Sequence, residues 1–300
     1  MLAALATLFG VAETGCDQPT SIYHGGKYVL GFGNVSFAVD PAGARVTDVH
    51  LVDGNTSNLL TGPSVNATNY GSTFWTSPQS SWGWPPPPEI DTAVYAASAT
   101  NTSVSFVGPT NAVLGASVSK RFTADPVNSR IVAEYSISTQ DAGKMFAPWE
   151  ITRVFPGGLT FFPTGVGGAT AGRGFALPPT QDQAGCTWYQ HPGVAPGADQ
   201  KLLADGSGGW LAHVAGDTVI VKKFADVPAD MAAPGEAEIE IFVQGQGAYV
   251  EIEQQGAYQA VAPQQPLQWS VTWIVSRLPA AVKPTAGNLE LVQFVQGLVR

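Results

Sequence analysis

Two glutamates near the C-terminal end of the chain, Glu251 and Glu253, lie two residues apart in the segment YVEIEQQ. Residues two apart in a β-strand point to the same face, so both carboxylates share one face and the apolar residues between them share the other. Such a pair can bind ligand hydroxyls or take up a proton as a general base. The spacing is equally typical of a solvated strand face, and we expect that role for Glu238 and Glu240 in AEIEIFV.

A second titratable group would be needed for proton transfer, and the candidates are Glu150 and His191. Glu150 stands beside Trp149 in PWEITR, and His191 follows Trp188 and Tyr189 in CTWYQHPG. Either side chain could exchange a proton with a ligand if it faced a pocket. A carboxylate bonded to loop amides is the alternative interpretation for Glu150.

The segment STFWTSPQSSWGWPPPPEI, residues 72–90, contains Trp75, Trp82 and Trp84 before four consecutive prolines. Proline lacks the N–H that a central strand needs, so the run predicts a loop or a sheet edge. Indoles stack on the faces of ring-shaped ligands, and they also close the ends of β cores. The sequence leaves both roles open.

Composition limits the function classes. The chain has 300 residues, of which 44% are hydrophobic and 12% charged, as in many exported β proteins. A net charge of −9 argues against a nucleic-acid partner, because few cations could neutralise phosphates. The sequence has four histidines, His24, His50, His191 and His213. Their spacing matches no zinc site, so we predict no metal and no cofactor.

The first fifteen residues, MLAALATLFGVAETG, form an apolar run that is too short to span a bilayer and is followed by Cys16. We interpret residues 1–20 as a signal or lipoprotein-type segment. The protein would then be secreted or periplasmic, with lipidation of Cys16 as its one link to the membrane. Simple secretion, a frayed cytosolic terminus and a disulfide with Cys186 remain alternatives.

The elements that must position these groups are mainly strands. Period-two alternation between residues 27 and 278 predicts an all-β fold, a large antiparallel β-sandwich in a single domain that covers residues 21–300. A short C-terminal helix is predicted from about residue 286, with Thr285 as its cap. Residues 157–208 are rich in glycine and proline and predict long loops, where binding sites commonly lie.

Four segments resemble, in order, the galactose mutarotase-like superfamily, the fold of the aldose 1-epimerases, and within it an uncharacterised family of bacterial domains. They are VSFAVDPAGARVTDVHLVDGNTSNLL, YGSTFWTSPQSSWGWPPPPEID, MFAPWEITRVFPGG and AYVEIEQQGAYQAVAPQQPLQWSVTWIVSRL. The resemblance covers most of the chain and implies the large sandwich of that superfamily. One departure concerns activity: the third segment falls where epimerases have the strand that delivers a catalytic histidine, and it contains none.

The resemblance implies a carbohydrate-binding, mutarotase-like protein whose ligand is a sugar or polysaccharide, and the N-terminal segment adds the bacterial envelope as its expected location. We expect stacking by Trp75, Trp82, Trp84 and Trp149, and bonds to hydroxyls from Arg45 and Arg153. An epimerase-type enzyme would use Glu251 or Glu253 as base and Glu150 or His191 as acid. The alternatives are a non-catalytic binding or structural protein and, more remotely, a polysaccharide lyase or hydrolase.

Overall fold

The computed structural model describes residues 20–53 and 57–300. The first nine strands are β1 Thr20–His24, β2 Lys27–Phe32, β3 Val35–Asp40, β4 Arg45–Leu51, β5 Ser72–Ser77, β6 Ala96–Ala99, β7 Ser103–Val107, β8 Ala116–Asp125 and β9 Arg130–Thr139. The next six are β10 Lys144–Val154, β11 Leu159–Pro163, β12 Thr170–Ala171, β13 Gln181–Gln183, β14 Cys186–Gln190 and β15 Gln200–Ala204. The last six are β16 Trp210–Ala215, β17 Thr218–Lys223, β18 Ile239–Val243, β19 Val250–Gln255, β20 Gln259–Val261 and β21 Leu267–Arg277.

The strands of the described residues form two sheets. The first has the order β1-β2-β3-β4-β5-β10-β19-β18-β15-β12, with β20 paired to β10, and the second has the order β13-β14-β11-β16-β17-β21-β9-β8-β7-β6. Neighbouring strands in both sheets run antiparallel; β10, for example, pairs with β5 on one side and β19 on the other. The predicted all-β antiparallel sandwich is therefore confirmed.

The main core lies between the two sheets, and strands such as β8 and β9 alternate buried with less buried positions. Strand β8 alternates over its whole length, and its Phe122 packs at 5.5 Å, between ring centroids, from Phe37 of β3 in the first sheet. Phe74 of β5 stacks on Tyr135 of β9 at 4.2 Å. The period-two pattern thus sends one set of side chains from each sheet into a shared interior.

Two helices of the α type are described. Helix α1, Pro88–Asp91, follows the proline run, and helix α2, Leu289–Leu298, lies near the C-terminus. In α2, Leu291, Val292 and Val295 are buried against the outer face of the second sheet, as predicted. The predicted cap was wrong: Asn288, not Thr285, accepts the hydrogen bond from the Glu290 N–H at 2.9 Å.

A charged pair lies in the interior between the sheets. Glu150 of β10 receives a hydrogen bond from the Nζ of Lys222, on β17 of the second sheet, at 2.6 Å, and both side chains are fully buried. The Nε2 of Gln254 donates to the same carboxylate at 2.5 Å, and the Tyr135 hydroxyl and Trp273 indole N–H donate to its other oxygen. This network joins the two sheets through one carboxylate.

The predictions for residues 1–20 lie outside the described residues, except at Thr20. Cys16, one partner of the disulfide considered above, also lies outside them. Cys186 itself is buried and forms no disulfide within the described residues. No helix within residues 20–53 and 57–300 is long and apolar enough to cross a membrane.

Candidate functional site

A cavity of about 550 Å³ opens on the face of the first sheet that points away from the second sheet. Its floor is made by Trp75 of β5, Trp149 of β10, Glu251 of β19, Phe242 of β18 and Lys201 of β15. These strands are neighbours, and Trp149 pairs directly with Trp75, and Phe242 with Glu251. The volume falls within the range of roughly 300–1,000 Å³ that small-molecule sites occupy.

Loops complete the cavity with further aromatic rings. Trp84, whose side chain is 58% exposed, comes from the proline-rich segment. On another wall Phe175 packs edge-on against Phe242 at 6.0 Å, and Tyr249 stands 6.4 Å from Phe242. The cavity therefore offers aromatic walls to a ligand with apolar ring faces.

The orientation of Trp75 is fixed from behind the cavity. Its indole N–H donates to Asp91 at 2.9 Å, and Asp91 is held by Arg45 at 3.0 and 3.1 Å. The backbone around Asp91 packs directly against Gly43, which has a φ of +65°; a Cβ at this position would collide with the Asp91 carbonyl. The structure thus places Arg45, predicted to bind ligand hydroxyls, in a buried support for Trp75 and not in the cavity.

The tryptophans of residues 72–90 divide into two roles. Trp82 is half-buried, donates its N–H to the Thr76 carbonyl at 2.8 Å and does not line the cavity. Trp75 and Trp84 do line it, together with Trp149. The segment is therefore both a closure of the core and a wall of the cavity, which are the two roles that the sequence left open.

Glu251 is the member of the predicted glutamate pair that faces the cavity. Arg153 donates to it at 2.8 Å, and this guanidinium also donates to Thr73 at 2.7 Å and lies 5.0 Å from the centre of the Trp75 ring. Arg153 is fully buried and does not line the cavity, so it supports Glu251 and is not placed to bond to ligand hydroxyls as predicted; its Nη2 has no hydrogen-bond partner among the described residues. This ion pair fixes the Glu251 carboxylate at the cavity, where it can accept a hydrogen bond from a ligand hydroxyl.

Glu253 lies beneath the floor of the cavity and does not line it. It is fully buried and accepts the Trp149 indole N–H at 2.8 Å. The Nζ of Lys201 lies 3.6 Å from Glu253 and 2.5 Å from Glu240. Burial raises the pKa of Glu253 well above its usual range, against the opposing effect of Lys201. Its role in this position is to hold Trp149.

A carboxyl group that the sequence reasoning missed, Glu236, lines the cavity. It lies in the loop before β18 and accepts the Gln79 backbone N–H at 3.0 Å. Burial, and then the charge of Glu240, raise its pKa to about 8, so that it is mostly protonated at neutral pH. The expectation that Glu238 and Glu240 face solvent was wrong, because both are buried.

Neither acid candidate from the sequence lines the cavity. Glu150 follows Trp149 on β10, so strand alternation turns it to the opposite face, into the network with Lys222. His191 follows β14 of the second sheet, where its Nδ1 accepts the Gly193 N–H at 3.0 Å. No group of three or more potential metal ligands occurs in the described part of the chain.

A buried histidine in the second sheet gives the protein an acid-sensitive point. His213 lies 2.9 Å from the Thr160 hydroxyl, and burial, followed by the neighbouring His191, lowers its pKa from 6.5 to about 4. The unfolded chain then binds a proton more readily as the pH falls from about 6.5 towards 4, so the free energy of unfolding decreases over that window. We expect this residue to account for a loss of roughly 2–3 kcal/mol between about pH 7 and pH 4.5.

Urea unfolding of the wild type and His213→Gln at the two pH values measures this loss. The substituted protein should lose less stability on acidification. An equal loss in both proteins would show that His213 is not the titrating group.

No protein-family model matches this sequence. No curated protein matches it either. Solved structures do match: a GalM/aldose epimerase homologue from C. elegans has a TM-score of 0.55 at 11% identity, over 87% of this chain and 99% of that one. A candidate aldose 1-epimerase from Escherichia coli K12 has a TM-score of 0.54 at 15% identity, over 84% of this chain and 99% of that one.

A candidate aldose 1-epimerase from Klebsiella pneumoniae has a TM-score of 0.56 at 9% identity, over 93% of this chain and 85% of that one. At these identities the likeness concerns the fold. The chain has the fold of the aldose 1-epimerases and mutarotase-like proteins, and the predicted resemblance to that superfamily is confirmed at this level. Closeness to the uncharacterised bacterial family stays a prediction.

Proposed function

We propose that this protein binds a sugar in the 550 Å³ cavity. The observation that carries the proposal is the combination of Trp75, Trp84 and Trp149 with Glu251 and its partner Arg153 at one place. Indole faces stack on the C–H faces of a pyranose, and charged side chains bond to its hydroxyls. The shared fold supports the same ligand class.

We further propose an epimerase-type proton transfer between two carboxyl groups of the cavity. Glu251 takes the proton of the anomeric hydroxyl, C1 forms a double bond to that oxygen, the C1–ring-oxygen bond breaks, and Glu236 protonates the ring oxygen. Rotation about C1–C2 and the reverse steps give the other anomer and restore both carboxyl groups. Glu236 replaces the acids proposed from the sequence, because its pKa of about 8 keeps it protonated at neutral pH.

A direct test adds the purified protein to freshly dissolved α-D-glucose or α-D-galactose and follows the optical rotation. The expected result is a rate of anomer interconversion above the spontaneous rate and proportional to protein concentration. A rate equal to the buffer control with both sugars would refute the proton-transfer proposal and leave only binding.

Binding without turnover is the second candidate function. The observation in its favour is that no histidine lines the cavity within residues 20–53 and 57–300, although the resemblance calls for one. The position that matches the catalytic strand of the epimerases carries Glu150, which faces the interior. A binding protein needs the aromatic walls and a hydrogen-bonding group such as Glu251 but no proton donor.

The bacterial envelope remains our proposed location. It rests on the apolar run before Cys16, which is typical of exported and lipid-modified proteins. Fractionation of the native host, with detection of a lipid on Cys16 by mass spectrometry, tests this location separately from the sugar site.

Replacing Trp84 with alanine should weaken sugar binding. The exposed indole at the mouth of the cavity would lose its stacking contact, and we expect a cost of about 1–3 kcal/mol, or roughly a 5- to 150-fold higher Kd. Calorimetric titration with glucose and galactose measures it. Tyr23→Ala is the matched control, because that ring is also exposed, at 64%, on the edge strand β1. Equal affinities for the two variants would contradict a stacking role for Trp84.

A further inference from the structure

A second cavity, of about 230 Å³, adjoins the first on the same side of the first sheet. Leu203 of β15 and Glu236 line both cavities. The far walls are formed by the turn at residues 166–168 and by the 3-10 turn that contains Ala229. The two cavities therefore lie next to each other and share part of a wall.

Its size fits a role as an extension better than a role as a separate site. Independent small-molecule sites occupy roughly 300–1,000 Å³, and the second cavity falls below that range. It is nevertheless several times larger than the space of a single water molecule, about 30 Å³. A ligand that reaches from the first cavity past Glu236 would find room there for one more group of moderate size.

The chemistry of the second cavity suits a hydroxylated group with an apolar side. Pro228, Ala229 and Ala232 provide apolar surface. Asp205 accepts the Val166 backbone N–H through Oδ2 at 2.7 Å, and its Oδ1 is buried with no hydrogen-bond partner among the described residues. The Asp205 carboxylate lines the second cavity and accepts one hydrogen bond from the described residues, so it keeps acceptor capacity for a ligand hydroxyl.

We propose that the second cavity is a subsite for a second, covalently linked sugar unit, so that the ligand is an oligosaccharide or the end of a polysaccharide. This inference rests on the sugar-binding function proposed above. The unit with the free anomeric hydroxyl occupies the first cavity, between Glu251 and Glu236, and the adjoining unit lies against Ala229 and Asp205. Glu236 stands at the boundary between the two units.

The test compares monosaccharides with linked disaccharides. Calorimetric titration with glucose, galactose, cellobiose, maltose and lactose should show at least one disaccharide bound about tenfold more tightly than its component monosaccharides, a difference of about 1.4 kcal/mol. Ala229→Phe, which fills the second cavity, should remove this gain and leave monosaccharide affinity unchanged. Met231→Phe is the matched control, because Met231 belongs to the same 3-10 turn but does not line the cavity.

The outcomes separate the two proposals. Equal affinities for monosaccharides and disaccharides, or a gain that survives Ala229→Phe, would overturn the subsite and leave the sugar site of the first cavity in place. Absence of binding by all five sugars would overturn both. Thermal unfolding of each variant shows whether a loss of affinity is caused by a loss of the folded structure. If Ala229→Phe fails to fold, Thr170→Phe, on the other wall of the second cavity, is the alternative blocking substitution.

Discussion

Replacing Glu236 with glutamine is expected to slow the interconversion of sugar anomers by roughly 10²- to 10⁴-fold, the usual range for loss of a general acid. Glutamine keeps an oxygen that can accept the Gln79 N–H, so the loop should retain its conformation. Its amide N–H is far too weak an acid to protonate the ring oxygen. Polarimetry at saturating sugar measures the rate, and calorimetric titration shows that binding is retained.

The pH profile distinguishes an acid from a structural residue. Because the pKa of Glu236 is about 8, the protonated form is lost as the pH rises through that value, and wild-type activity should fall on the alkaline side. The residual activity of Glu236→Gln should lack this fall. Glu134→Gln, at a half-exposed glutamate of β9 in the second sheet, is the control and should match the wild type. A wild-type rate for Glu236→Gln would exclude Glu236 as the acid.

The second large effect concerns stability. Lys222→Met should lower the free energy of unfolding by about 3–5 kcal/mol, because it leaves the fully buried Glu150 without its cation. Burial lowers the pKa of Lys222 to about 7 although the Glu150 carboxylate opposes this shift, so the comparison is made at pH 6, where the ammonium group is mostly protonated. Denaturant unfolding monitored by circular dichroism measures the change.

The double variant Lys222→Met with Glu150→Gln provides the matched control. The amide oxygen introduced at position 150 can accept from the Tyr135 hydroxyl, and the amide NH2 can donate to the unpartnered side-chain oxygen of Gln254 once that amide rotates, so the double variant should recover most of the lost stability. If the double variant is less stable than Lys222→Met alone, the pair is not the source of the loss.

Much of the fold could be predicted because it depends on local pattern. Alternation of the kind seen along β8 is visible in the sequence, and it leads directly to strands with one buried face. The amphipathic spacing of Leu291, Val292 and Val295 likewise indicated a terminal helix. Its first residue was misplaced because Asn288 and Thr285 are both good caps, and only the path of the chain decides between them.

The site was predictable only in part, because it depends on pairings between distant segments. Strand parity placed Glu251 and Glu253 on one face, but how deeply each is buried depends on the neighbours brought by β10 and β18. Strand alternation also places Glu150 and Trp149 on opposite faces of β10. Which of these side chains points towards the second sheet depends on how the whole first sheet packs, and this is not visible in the local sequence. Glu236 lies in a loop without periodicity, so no sequence pattern marked it.

The indoles around the first cavity form a connected group. The ring centre of Trp75 lies 5.6 Å from those of Trp82 and Trp149 and 6.2 Å from that of Trp84. Excitation energy passes readily between indoles at such distances, and Trp84 brings the group into contact with solvent. A molecule that covers Trp84 displaces water from one ring and thereby alters the ultraviolet emission of the connected rings. The protein thus contains its own optical reporter, with which occupancy of the cavity can be followed in unlabelled material.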